Sequence, residues 1–75
     1  MKKNDFLQEL EELLETDDKL TEDTVLDELE EWDSLAMMSL STFFDENFDI
    51  QANMDEVKKF SKVSDIISFL GSKLQ

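Results

Sequence analysis

The chain has 75 residues, with 20 acidic side chains against 7 lysines and no arginine, for a formal charge of −13 at neutral pH. It contains no cysteine and no histidine, which removes disulfides, thiolate nucleophiles, imidazole bases and Cys/His zinc sites. A single domain of this size buries only about 60–65% of its unfolded surface, so a deep catalytic cleft beside a core is not expected.

One glycine, no proline and 40% hydrophobic residues suit a helical globule. No apolar run approaches the roughly 18 residues that span a bilayer, and Met1-Lys2-Lys3 leads into polar Asn4-Asp5. The expectation is a soluble, cytoplasmic, monomeric domain over residues 1–75. Its charge rules against binding nucleic-acid phosphates or anionic lipid. Partners should present basic patches, and self-repulsion should loosen the fold at low ionic strength.

Asp5 to Glu15 reads as the first helix, with Phe6, Leu7, Leu10, Leu13 and Leu14 on one face. Asn4 or Asp5 can cap it, with Gln8 completing a capping box; Glu9, Glu11 and Glu12 form a solvated face. Carboxylates late in this helix oppose its dipole, so its last turn should fray. Thr16 to Asp33 is a long acidic loop with scattered anchors at Leu20, Val25, Leu26, Leu29 and Trp32. A short helical turn is expected around Val25 to Leu29.

Ser34 to Phe48 reads as the central helix. Asp33-Ser34 before an apolar run is a helix start, because a short oxygen-bearing side chain can accept from backbone N–H groups that lack an intrahelical partner. At about 100° per residue, Ala36, Met37, Leu40, Phe43, Phe44 and Phe48 share the core side. Leu35, Met38, Thr42 and Glu46 fall away from it, leaving an exposed apolar pair beside Ser34. Asn53 to Phe60 can form a short helix capped by Asn53, with Met54, Val57 and Phe60 inward. Ser61 is the expected cap of a final helix in which Val63, Ile66, Ile67, Leu70 and Leu74 repeat at helical spacing, weakened near its end by Gly71.

The segment Asp33-Ser34-Leu35 resembles the prosthetic-group attachment motif of acyl carrier proteins. Phe48-Asp49-Ile50 resembles the end of that family's second helix, and Phe60-Ser61-Lys62-Val63-Ser64-Asp65-Ile66-Ile67 the start of its last. The resemblance runs from the first helix to about Leu70 and implies an all-α fold: a small four-helix bundle with three main helices, one short helix and a long first loop. It implies a carrier rather than an enzyme. A phosphopantetheinyl transferase would attach 4'-phosphopantetheine from coenzyme A to Ser34, and an acyl-activating ligase, synthase or transferase would load the arm with an acyl thioester. Asp33 would serve in capping or in recognition by the transferase. No specific metal site is implied.

Three departures from the family matter. The Leu-Gly pair usual before Asp-Ser is replaced by Leu29-Glu30-Glu31-Trp32, so the loop should be reshaped around a packed Trp32. Ala36 and Ser39 stand where members serving fatty-acid synthesis carry acids early in the second helix; Asp45 and Glu46 remain further along. This favours a dedicated pathway whose enzymes read Leu35, Met38, Thr42, Asp45 and Glu46. Bulky Phe43 and Phe44 predict a shallow pocket and a short or polar cargo.

Among rival readings, an EF-hand fails because Asp17 to Asp23 lacks both the alternating oxygen ligands and the required glycine. An unmodified acidic helical adaptor, using the same apolar pair for protein binding, stays open. Substituting Ser34 separates it from a carrier.

Overall fold

The structure, a computed structural model, describes residues 1–74 and is an all-α fold of four helices, three of them main, measuring 27 × 25 × 18 Å. Helix α1 spans Lys3–Leu14, α2 Ser34–Phe48, α3 Met54–Val57 and α4 Val63–Leu70, with 3₁₀ turns at Leu26–Glu28 and Gly71–Lys73. No strand occurs among the described residues.

Helix α1 begins earlier than Asn4 or Asp5 as a cap would allow. Lys2 holds the cap position without a side-chain bond, and its carbonyl accepts from the Phe6 N–H at 2.9 Å. Asp5 thus lies inside the first turn, where its charge still favours the positive helix end. The other end stops at Leu14 because Glu15 adopts the left-handed conformation (φ 56°). Its N–H and that of Thr16 then close on the Glu11 and Glu12 carbonyls.

The long loop carries its expected turn, and Leu20, Leu26 and Trp32 are buried as anchors. Backbone bonds tie it to the start of α4. The Leu26 N–H donates to the Ser61 carbonyl at 2.8 Å, Val63 to Thr24 at 3.0 Å and Ser64 to Glu22 at 3.0 Å. Val25 and Lys62 thereby form an isolated antiparallel bridge. The Leu20 N–H donates to a Glu11 carboxylate oxygen, so one residue of the acidic face of α1 also holds the loop.

Helix α2 buries Ala36, Leu40, Phe44 and Phe48, while Met37 and Phe43 sit half-buried at the margin of that face. It ends at Asp49 (φ 57°) in the left-handed conformation. Helix α3 is shorter than the expected Asn53 to Phe60. Asn53 does cap it, accepting from the Glu56 N–H at 2.9 Å, but regular helix ends at Val57 and Phe60 follows in a turn. Ser61 is not the cap residue of α4. That place is taken by Lys62, and the Asp65 carboxylate reaches back to accept from the Ser61 N–H, the Ser61 hydroxyl and the Lys62 N–H. These three bonds hold the Asp65 carboxyl below its ordinary range, the Ser61 N–H contributing most. At the far end Gly71 (φ 53°) interrupts α4, and Leu74 packs on the core from beyond a 3₁₀ turn.

Buried Phe6, Leu10, Leu40, Phe44, Val57 and Ile66 join all four helices in one core. Phe44 is its aromatic hub, with ring centroids 6.4 Å from Phe48, 6.5 Å from Phe60 and 5.6 Å from Phe69. Phe69 is 39% exposed and closes the stack at the surface.

Candidate functional site

The start of α2 is built by Asp33. Its backbone is extended, its Oδ1 accepts from the Ala36 N–H at 2.9 Å and its carbonyl from the Met37 N–H at 2.9 Å. The side chain thereby satisfies one of the initial donors that lack an intrahelical partner, the Ala36 N–H, and the Met37 bond is the first regular turn of the helix. Ser34 follows as the first helical residue and is exposed, its hydroxyl free of hydrogen bonds to the described residues. The cap bond directs an Asp33 oxygen toward Ala36.

The loop before this start is anchored rather than free. Trp32 is buried in the core cluster at 8% exposure, as its packing role predicts, and the Asp33 N–H donates to the Glu31 carbonyl at 3.0 Å. Trp32 and Ala36, both buried, bracket the exposed pair Asp33 and Ser34. The serine is thereby held at the surface by core packing on either side.

Leu35 is 71% exposed and Met38 57%, so the apolar pair expected beside Ser34 stands in solvent. With Thr42 and Glu46 it forms the α2 wall of a groove of about 390 Å³, to which Leu13 of α1 and Phe43 add apolar surface. A second depression of about 290 Å³ shares Leu13, Leu35 and Ser39 with the first and continues past Leu14 and Ala36 to Asp33, with Glu15 and Glu31 at its rim. No lysine lines either part.

Four of the five expected docking residues share this groove, and Asp45 does not. It lines a separate, mostly polar depression toward α3 with Ser41, Thr42, Gln51, Ala52 and Asn53, where the Ser41 hydroxyl donates to the Ala52 carbonyl. The contribution of Leu13 and Phe43 was hidden in the sequence, because both read as core positions on the apolar faces of their helices. The available signal was width: α1 has apolar residues at Leu7, Leu10, Leu13 and Leu14, more than a narrow contact can cover.

Comparison with protein-family models, curated proteins and solved structures finds no match to this chain. Among the described residues no group of three or more Asp or Glu is arranged to hold a metal ion, and no helix is long and apolar enough to cross a membrane.

Proposed function

We propose that this chain is a carrier protein whose Ser34 bears a 4'-phosphopantetheine arm. One observation carries the reading: the resemblance centred on Asp33-Ser34-Leu35 coincides with an exposed serine, its hydroxyl free of hydrogen bonds among the described residues, at the first position of a capped helix. The residues present suit the group. A phosphodiester on Ser34 lies at the positive end of α2, next to amides of the first turn.

Nothing at this site activates the serine. The chain has no histidine, and the Asp33 carboxylate already accepts a backbone N–H. Attachment is then the work of a transferase, which supplies the base. The Ser34 Oγ forms a bond to the β-phosphorus of coenzyme A, the pyrophosphate P–O bond breaks, 3',5'-ADP departs and the hydroxyl proton passes to the transferase. The arm supplies a terminal thiol on which acyl groups are held as thioesters.

The remaining roles belong to the chain itself. Trp32 and Ala36 keep Ser34 presented at the surface. Leu35 and Met38 offer apolar area beside it, and the −13 charge draws enzymes with basic docking faces. The departures early in α2 favour a dedicated pathway over general fatty-acid synthesis.

The exposure of Leu35 and Met38 also supports a second reading, an unmodified acidic adaptor that binds a partner through this patch. Incubation with coenzyme A, magnesium and broad-specificity phosphopantetheinyl transferases, followed by intact-mass measurement, separates the two. A gain of one phosphopantetheine, absent in Ser34→Ala, is the expected result. No gain on folded protein with several transferases would move the assignment to the adaptor.

A further inference from the structure

Two depressions of different chemistry lie along α2, and only the one toward α1 reaches Asp33, the neighbour of Ser34. Toward α3 the surface is Ser41, Thr42, Asp45, Gln51 and Asn53 around buried Ala52. An acyl chain gains little there, because its contacts would be hydroxyls, amides and a carboxylate. Toward α1, Leu13 faces Leu35, Met38 and Phe43 across the groove of about 390 Å³. The adjoining depression extends that groove to Asp33, directly beside the attachment residue. From Leu35 to Glu46 the α2 wall runs roughly 16 Å at the helical rise per residue.

The interior of the bundle is already filled. Phe44, Val57 and Ile66 are fully buried, and the rings of Phe44, Phe60 and Phe69 lie 5.4–6.5 Å from one another. A chain entering between α2 and α4 would have to displace rings from a packed core, which close packing resists. The α1–α2 groove needs no such opening.

We infer that the arm on Ser34 folds back along the α1–α2 groove and lays a short, uncharged acyl group against Leu13, Met38 and Phe43. This rests on the carrier reading of Ser34. Charge selects the class of cargo. Glu15, Glu31 and Asp33 rim the end nearest Ser34 and Glu46 lies at the other, with no lysine between them. A cargo bearing its own carboxylate is repelled along the whole groove, whereas a neutral apolar one removes Leu13, Met38 and Phe43 surface from water. The groove is open, so its occupant is shielded on one side only and stays accessible to the next enzyme.

The test uses the full chain loaded on Ser34 with the bare arm, with a hexanoyl thioester and with a succinyl thioester, each from the corresponding coenzyme A compound. Chemical shifts and nuclear Overhauser contacts are then compared between the three forms. The hexanoyl form should shift Leu13, Met38 and Phe43 and show contacts from its terminal methyl to these side chains. The succinyl form should leave them at their bare-arm positions. Leu35→Ser and Met38→Ser alter exposed residues, so both should stay folded and lose the hexanoyl-induced shift at Leu13. Hexanoyl shifts centred on Val57 and Ile66, or on Ser41 and Asn53, would overturn the inference, as would no shift at all. Groove shifts that vary with protein concentration in unloaded Ser34→Ala would assign the groove to a second copy of the chain. Failure of Ser34 to accept the arm would instead sink the carrier reading, and this inference with it.

Discussion

The Leu26 N–H donates to the Ser61 carbonyl at 2.8 Å, tying the middle of the long acidic loop to the residue preceding the Lys62 cap of α4. With the Val63–Thr24 and Ser64–Glu22 bonds it turns an irregular connection into a fixed part of the scaffold. The Leu26 side chain is fully buried, so backbone pairing and core packing act at one point. The loop delivers Trp32 and Asp33 to the start of α2, and the position of Ser34 depends on this junction.

Leu26→Ala should therefore cost about 2–5 kcal/mol, the usual range for a buried leucine. It should also loosen the loop before the helices. Amide exchange is the check: Leu26 and Val63 should lose protection well ahead of Leu10 and Leu40. Equal loss across all four would mean that the loop and the bundle unfold as one unit.

Asp33→Ala removes the side-chain acceptor of the Ala36 N–H and should destabilise the protein by about 1 kcal/mol, as N-cap losses do. Asp33→Ser restores an acceptor and should recover most of that stability. If modification by a transferase falls in Asp33→Ser as well, Asp33 is also read by the enzyme. If it recovers along with stability, the residue acts as a cap alone. Denaturant melts and initial modification rates measured on the same samples decide between these roles.

Asp65 contributes to the acid limb of the stability curve. Its carboxyl is held below 3.8 in the folded state by the Ser61 N–H, the Lys62 N–H and the Ser61 hydroxyl. A depressed folded-state value contributes stability that is complete above the unfolded value and is lost as pH falls through the folded one. Asp65→Asn should melt below the parent at neutral pH, and the gap should close as pH drops below 3.8. A gap that persisted undiminished in acid would show that the bonds matter without the charge.

Glu15 ends α1 in a left-handed conformation that a side chain disfavours. Glu15→Gly relieves it at a helix terminus where glycine is the usual residue, and also removes one of 20 acidic charges. The variant should gain about 1 kcal/mol in chemical denaturation. A loss would mean that the Glu15 side chain supports the fold.

Salt should raise the melting temperature. Going from 10 to 150 mM ionic strength shortens the screening length from about 30 to about 8 Å. The single ion pair among the described residues, Lys3–Glu22 at 3.0 Å, is half-exposed and should add little against an excess of 13 negative charges. Thermal melts should rise by several degrees over that range, and millimolar magnesium should add to the rise. A flat response would show that the carboxylates are spaced widely enough not to repel.

Much of this molecule is legible in the residues alone. The three main helices follow from apolar spacing, the caps Asp33 and Asn53 from short polar side chains before such runs, and the exposure of Leu35 and Met38 from helical phase. All are local properties, set within a few residues by backbone hydrogen bonding and the 3.6-residue turn. The ends of the helices were less legible. Glu15 and Lys2 occupy cap positions that their types do not favour, because packing of Phe6, Leu10 and Leu14 fixes where α1 lies. Only the tertiary structure shows that the acidic loop is stitched to α4, that Lys62 rather than Ser61 is the cap residue of α4 with the Asp65 carboxylate reaching back to both, and that Asp45 faces away from the groove. Leu13 and Phe43 show why: each belongs to an apolar face, and whether such a residue ends in the core or lines a groove depends on how closely a neighbouring helix approaches it. Spacing along one helix carries no information about that distance.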